Sequence, residues 1–98
     1  MPGVPLHLIQ RGNNRSVCFY SDADYLFYLQ CLAEQADKHN CAVHALCLMT
    51  NHVHLLLTPA RLGSVGLLMK GLGQRYVQYI NRSYQRTGTL WKGASVSV

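Results

Sequence analysis

The sequence predicts an α+β domain in which an antiparallel sheet carries two helices on one face, in the order β-α-β-β-α-β. Three observations point there. Two long stretches repeat apolar residues at helical spacing. Four shorter stretches read as strands. The 98 residues leave room for one domain only.

"VPLHLIQRG" is the first strand. Alternation puts His7, Ile9 and Arg11 on one face and Leu6, Leu8 and Gln10 on the other. "RGNNR" supplies turn chemistry, because Gly12 and two Asn tolerate left-handed backbone. "SDADYLFYLQCLAEQADKHN" is the first helix. Ser21 and Asp24 resemble a capping box, with Asp in place of the longer Glu. Tyr25, Leu29, Leu32 and Ala36 form its apolar stripe, and Asn40 is its stop.

"CAVHALCLM" is the second strand and "HVHLLLTP" the third, closed by Pro59 and joined by "TN" in a short hairpin connection. "LGSVGLLMKGLGQRYVQYINRSYQR" is the second helix. Val65, Leu68, Leu72, Tyr76 and Ile80 make its apolar face, with Lys70, Gln74, Gln78 and Arg82 elsewhere. Gly71 and Gly73 each weaken it by about 1 kcal/mol relative to Ala. A close approach to a ligand or a neighbouring strand would explain them. "GTLWKGASVSV" is the last strand. This is the ferredoxin-like arrangement, with one sheet face left open for a ligand or another chain.

Nearly half the residues are hydrophobic and 13% are charged, so the core is modest. No run of about 18 apolar residues exists to span a membrane, and "MPGVPLHLIQRG" lacks the features of a signal peptide. A cytoplasmic location is the expectation. Cys18, Cys31, Cys41 and Cys47 form no CxxC pair and have apolar neighbours. They read as reduced, small, buried side chains rather than a zinc site or a disulfide frame.

The formal net charge is +5, and it is unevenly spread. Asp22, Asp24, Glu34 and Asp37 are the only acids. From Lys38 onward there are seven bases and no acid: Lys38, Arg61, Lys70, Arg75, Arg82, Arg86 and Lys92. Such a field attracts a polyanion, nucleic acid above all, although a solvated basic surface is the alternative.

"MTNHVHLLLTP" carries the chemistry. Strand alternation points His52 and His54 to the open face, roughly 6–7 Å apart along the strand, with Val53 opposite. Two imidazoles so placed can converge on one divalent metal, or be two ordinary half-exposed histidines.

"MTNHVHLL" resembles the HUH motif (His, hydrophobic, His) of the single-tyrosine transposases. These are the enzymes of bacterial insertion sequences that move as single-stranded DNA, and the REP-associated tyrosine transposases. "HLIQRGNNR", "DADYLFYLQCL", "HALCLMTNHVHLLLTP" and "YVQYINRSYQRTGTLWKG" resemble family segments in family order, from about residue 4 to residue 93. The resemblance implies a single HUH domain over 1–98 in a bacterial cytoplasm. It also implies that His52 and His54 hold Mg²⁺ or Mn²⁺ at a scissile phosphate. A tyrosine then attacks and is left joined to the DNA 5′-phosphate.

The resemblance stops after Gly93. In the family a further basic segment and a helix follow, and that helix carries the nucleophilic tyrosine and a third metal ligand. Tyr20, Tyr25, Tyr28, Tyr76, Tyr79 and Tyr84 do not align with it. The expectation is a domain truncated at its C-terminal end relative to the family. It is either a single-stranded-DNA transposase or a catalytically inactive DNA-binding remnant. A metal-binding module without a DNA role is disfavoured by the basic bias and "QRGNNR".

Arg11, Asn13, Asn14 and Arg15 after the first strand suit phosphate and base-edge contacts, with an Asn-shaped turn as the other reading. Arg75, Arg82, Arg86 and Lys92 are further candidates for the DNA backbone. Trp91 is either a buried anchor, the preferred reading, or a platform for an unpaired base. His44 shares the open face, where a structural role is preferred to ligation. His7 and His39 carry no assignment. The expected partner is single-stranded or hairpin DNA, and an open sheet edge would permit a homodimer.

Overall fold

Leu6, Leu8 and Gln10 are buried along β1 (Leu6–Gly12), while His7 and Ile9 are half-buried and Arg11 is exposed. The computed structural model describes residues 3–13, 17–61 and 63–97. Asn14 and Arg15 of the predicted turn lie outside the described residues. After β1 come α1 (Asp22–Lys38), β2 (Cys41–Leu48), β3 (His52–Pro59), α2 (Ser64–Ser83) and β4 (Trp91–Ser97). The sheet order is β2-β3-β1-β4 and every neighbouring pair is antiparallel. This is the ferredoxin-like order expected from the sequence.

One core joins the sheet to both helices. Leu8, Val53, Leu55 and Leu57 meet Tyr28, Leu32, Leu68, Leu72, Tyr76 and Ile80, all at 3% exposure or less. The α2 face is as read from its spacing, with Ser64 rather than Val65 buried at its start. The α1 face is rotated. Tyr25 and Leu29 are half-buried, whereas Asp24, Tyr28, Cys31, Leu32, Gln35 and Ala36 are buried. A stripe counted from apolar residues missed Asp24 and Gln35, because their burial depends on partners from outside the helix. Asn40 ends α1 in the left-handed region at φ 54, as a C-terminal stop requires.

An aromatic cluster closes the open end of the core. Phe19 stacks on Tyr25 with centroids 4.4 Å apart and meets Tyr28, Tyr76 and Trp91 at 5.3–6.3 Å. Trp91 is therefore an anchor of β4, half-buried against these rings. Tyr76 donates to the Cys18 carbonyl at 2.6 Å and Tyr28 donates to Gln10 Oε1 at 3.3 Å. These bonds explain how polar groups survive in the core.

The expectation for the cysteines needs one correction. Cys18, Cys31 and Cys41 are buried, but Cys47 is exposed. β2 is an edge strand, and most of it is exposed from Ala42 onward. A bulge at His44 also shifts its register against β3. Apolar composition alone did not reveal that β2 is only partly covered. Among the described residues, no helix is long and apolar enough to cross a membrane.

The two glycines of α2 differ. A Cβ on Gly71 would sit 2.2 Å from Gln35 Oε1, so the absence of a side chain there lets α1 approach. A Cβ on Gly73 would meet nothing within 4 Å. Gly73→Ala is expected to stabilise the protein by roughly 0.5–1 kcal/mol through helix propensity. Gly71→Ala is expected to lose that gain, because the buried Gln35 amide must move. Urea unfolding of the two variants side by side checks the contrast.

Candidate metal centre

The open sheet face is built from β1 and β3, the two central strands. Ile9 lies opposite His54 and Arg11 opposite His52. The valine between the histidines, Val53, is fully buried, which anchors the strand and holds both imidazoles on the other side. Their ring centroids are 4.9 Å apart at an interplanar angle of 71°. With metal–nitrogen bonds of about 2.1 Å, two rings at that separation can share one ion.

Hydrogen bonds orient both rings. His52 Nδ1 lies 2.7 Å from Asn51 Oδ1. The amide oxygen only accepts, so His52 Nδ1 donates, and in the neutral ring this leaves the Nε2 lone pair free. Asn51 is itself held, since its carbonyl accepts the Gly12 amide at 2.8 Å. His54 Nδ1 lies 3.2 Å from His7 Nε2, and these two rings are near-parallel with centroids 5.4 Å apart. Desolvation, then His52, His7 and Arg11, hold the His54 imidazole below its ordinary pKa. The neutral ring is the metal-binding form.

The donor set suits an ion with an open coordination shell. Among the described residues, no three His, Cys, Asp or Glu side chains are gathered as a metal cluster. Two imidazoles would leave most positions to water or to a phosphate oxygen.

The other predicted site residues divide by location. Arg11 is exposed beside His52 and shares a groove with Lys92, Gly93, Ala94 and Ser95. Asn13 instead braces the approach to β4, with Nδ2 donating to Thr89 Oγ1 at 3.2 Å and its amide to the Leu90 carbonyl at 2.8 Å. Arg75 and Arg82 stand on α2 in the helical layer. Arg75 pairs there with Glu34 of α1, both half-exposed. Arg86 donates to Asn81 Oδ1 at 3.1 Å just past α2. The structure therefore brings Arg11 to the histidine pair and leaves Arg75 and Arg82 on the helical side of the sheet. His44 bonds Thr58 Oγ1 at 2.7 Å, which supports its structural reading.

Two residues at the centre were not singled out from sequence: His7 and Asn51. The signal for His7 was present. It shares the open face with Ile9 and Arg11, and the ferredoxin-like order makes β1 the neighbour of β3. Asn51 was read only as part of a hairpin.

The six tyrosines are all accounted for elsewhere. Tyr28 and Tyr76 are buried in the core. Tyr79 and Tyr84 both donate to Asp24, at 2.8 and 2.7 Å. Tyr20 packs on Tyr84 and Tyr25 on Phe19.

The family model for IS200-like transposases matches residues 2–96. The chain belongs to that family. This IS200-like transposase also shares its fold with solved structures. A candidate transposase from Deinococcus radiodurans R1, known from a crystal structure, matches with a TM-score of 0.77 at 22% identity, over 97% of this chain and 78% of that one. A REP-associated tyrosine transposase bound to a REP hairpin matches with a TM-score of 0.67 at 10% identity, over 99% of this chain and 56% of that one. At these identities the likeness is one of fold. Among curated proteins no significant match is found.

Proposed function

We propose that this IS200-like transposase binds single-stranded or hairpin DNA across its open sheet face and holds Mg²⁺ or Mn²⁺ between His52 and His54. The observation that carries the reading is the histidine pair itself. Two rings lie 4.9 Å apart, Asn51 leaves the Nε2 lone pair of His52 available, and Arg11 stands alongside. When bound, the ion would polarise a scissile phosphate and neutralise charge developing on it. His52 and His54 would orient that phosphate. Arg11, Lys92 and, by sequence, Asn14 and Arg15 would hold the neighbouring backbone. The hairpin bound to one structural neighbour makes hairpin DNA the first ligand to test.

A second reading is favoured by the tyrosines. The hydroxyls of Tyr28, Tyr76, Tyr79 and Tyr84 are bonded on the helix side, and the rings of Tyr20 and Tyr25 pack on Tyr84 and Phe19. An attacking hydroxyl must come within about 3–3.5 Å of phosphorus in line. The 98-residue chain on its own is thus proposed to bind DNA without becoming covalently joined to it.

The test is incubation with a hairpin-bearing single strand and Mn²⁺, followed by native and denaturing gels. Binding is expected on the native gel and no covalent band on the denaturing one. A covalent band abolished by mutating any one of the six tyrosines would overturn the second reading. Arg11→Ala should flatten the salt dependence of single-strand binding by about 0.7 in the log–log slope, the contribution of one phosphate contact. Arg75→Ala should leave that slope unchanged, because its guanidinium faces Glu34 in the helical layer.

A further inference from the structure

We infer that His7 is a positioning residue that selects the metal-binding tautomer of His54. The inference rests on the reading of His52 and His54 as metal ligands. His7 is not opposite His54 in the sheet. It pairs with Leu56, one diagonal step away, while Ile9 lies opposite His54. Aromatic side chains span such diagonals, and here the two rings are near-parallel, at an interplanar angle of 17°, with His7 Nε2 3.2 Å from His54 Nδ1.

A hydrogen bond between two neutral imidazoles holds one proton, so it has two arrangements. If His7 donates, His54 Nδ1 accepts and the His54 proton sits on Nε2, where it blocks an ion. If His54 Nδ1 donates, Nε2 carries a free lone pair directed away from His7. Only the second arrangement lets His54 act together with His52, whose own Nδ1 proton is fixed by an amide oxygen. His7 thus does for His54 what Asn51 does for His52. The two anchors differ in one respect: Asn51 Oδ1 cannot donate, whereas His7 can. Ligand histidines generally use the second ring nitrogen in this way, and losing the partner lowers metal affinity by about 10–100-fold.

The experiment uses the 98-residue chain labelled with ¹⁵N and three forms: wild type, His7→Ala and His7→Gln. The glutamine can present an oxygen acceptor to Nδ1. Long-range ¹H–¹⁵N spectra of the metal-free protein report the His54 tautomer, and Mn²⁺ titration reports affinity. Thermal melts check that each variant is folded. Wild type and His7→Gln are expected to hold the Nδ1–H form of His54. His7→Ala is expected to shift toward the Nε2–H form and to bind Mn²⁺ about 10–100-fold more weakly, with His7→Gln regaining most of the loss. An unchanged tautomer in His7→Ala, or a glutamine no better than alanine, would overturn the inference. If wild type binds no Mn²⁺ at His52 and His54, the metal reading fails, and the metal-free tautomer still decides the role of His7.

Discussion

Replacing His54 by alanine is expected to remove Mn²⁺ binding from His52 as well. If the two rings share an ion, neither binds well alone, because one imidazole beside the cationic Arg11 offers little over water. The loss should exceed about 100-fold, larger than the effect of losing a hydrogen-bonded partner of a ligand. The 4.9 Å centroid separation permits this coupling, and the reciprocal variant, His52→Ala, should behave alike. Paramagnetic broadening by Mn²⁺ reads it directly: both imidazoles broaden together in the wild type, and neither does in either variant. Broadening of the remaining histidine at unchanged Mn²⁺ concentration would remove the shared site. Fold is not at stake, since both side chains are only half-buried and the adjacent Val53 carries the packing.

Asp24→Ala is expected to cost about 3 kcal/mol of folding stability, a large share of the margin of a domain this size. The carboxylate is 1% exposed and accepts four hydrogen bonds. Two come from the Tyr20 and Ser21 amides at 2.9 and 3.2 Å, which cap α1. Two come from the Tyr79 and Tyr84 hydroxyls, which tie the end of α2 to the start of α1. Burial raises its pKa, but the hydrogen bonds together outweigh burial, and the net shift is downward. The sign of the pH effect follows. A depressed carboxylate pKa contributes stability that is fully present above the unfolded value, near 3.8, and is lost as pH falls through the folded one. Bonding to Asp24 in turn raises the Tyr79 and Tyr84 pKa values above 10.0. Their contribution is therefore present below about pH 10 and lost as pH rises through the raised values. Urea titrations at pH 7 and pH 3 should show a larger loss for wild type than for Asp24→Ala. Equal acid sensitivity in both would show that the network is not the source.

The sequence by itself determined the element order, the α2 face and the placement of His52 and His54 on the open side of β3. These depend on periodicities of 2 and 3.6, which are local and survive in any context. Asn40 as the end of α1 and Ser21 with Asp24 at its start are local too, because caps depend on residues a few positions apart. Tertiary structure decided the rest. Asp24 and Gln35 are buried because α2 supplies their surroundings, and no stripe within α1 contains that information. β2 is exposed despite its apolar residues because it lies at the sheet edge, and a bulge at His44 breaks its alternation. Arg11 and Arg75 look alike as basic residues, yet strand order carries one to the histidines and helix packing gives the other to Glu34. The role assigned to His7 depends on a contact between residues 47 positions apart. It forms because β1 lies between β3 and β4, so a diagonal across two strands, invisible along the chain, sets which nitrogen of His54 is free.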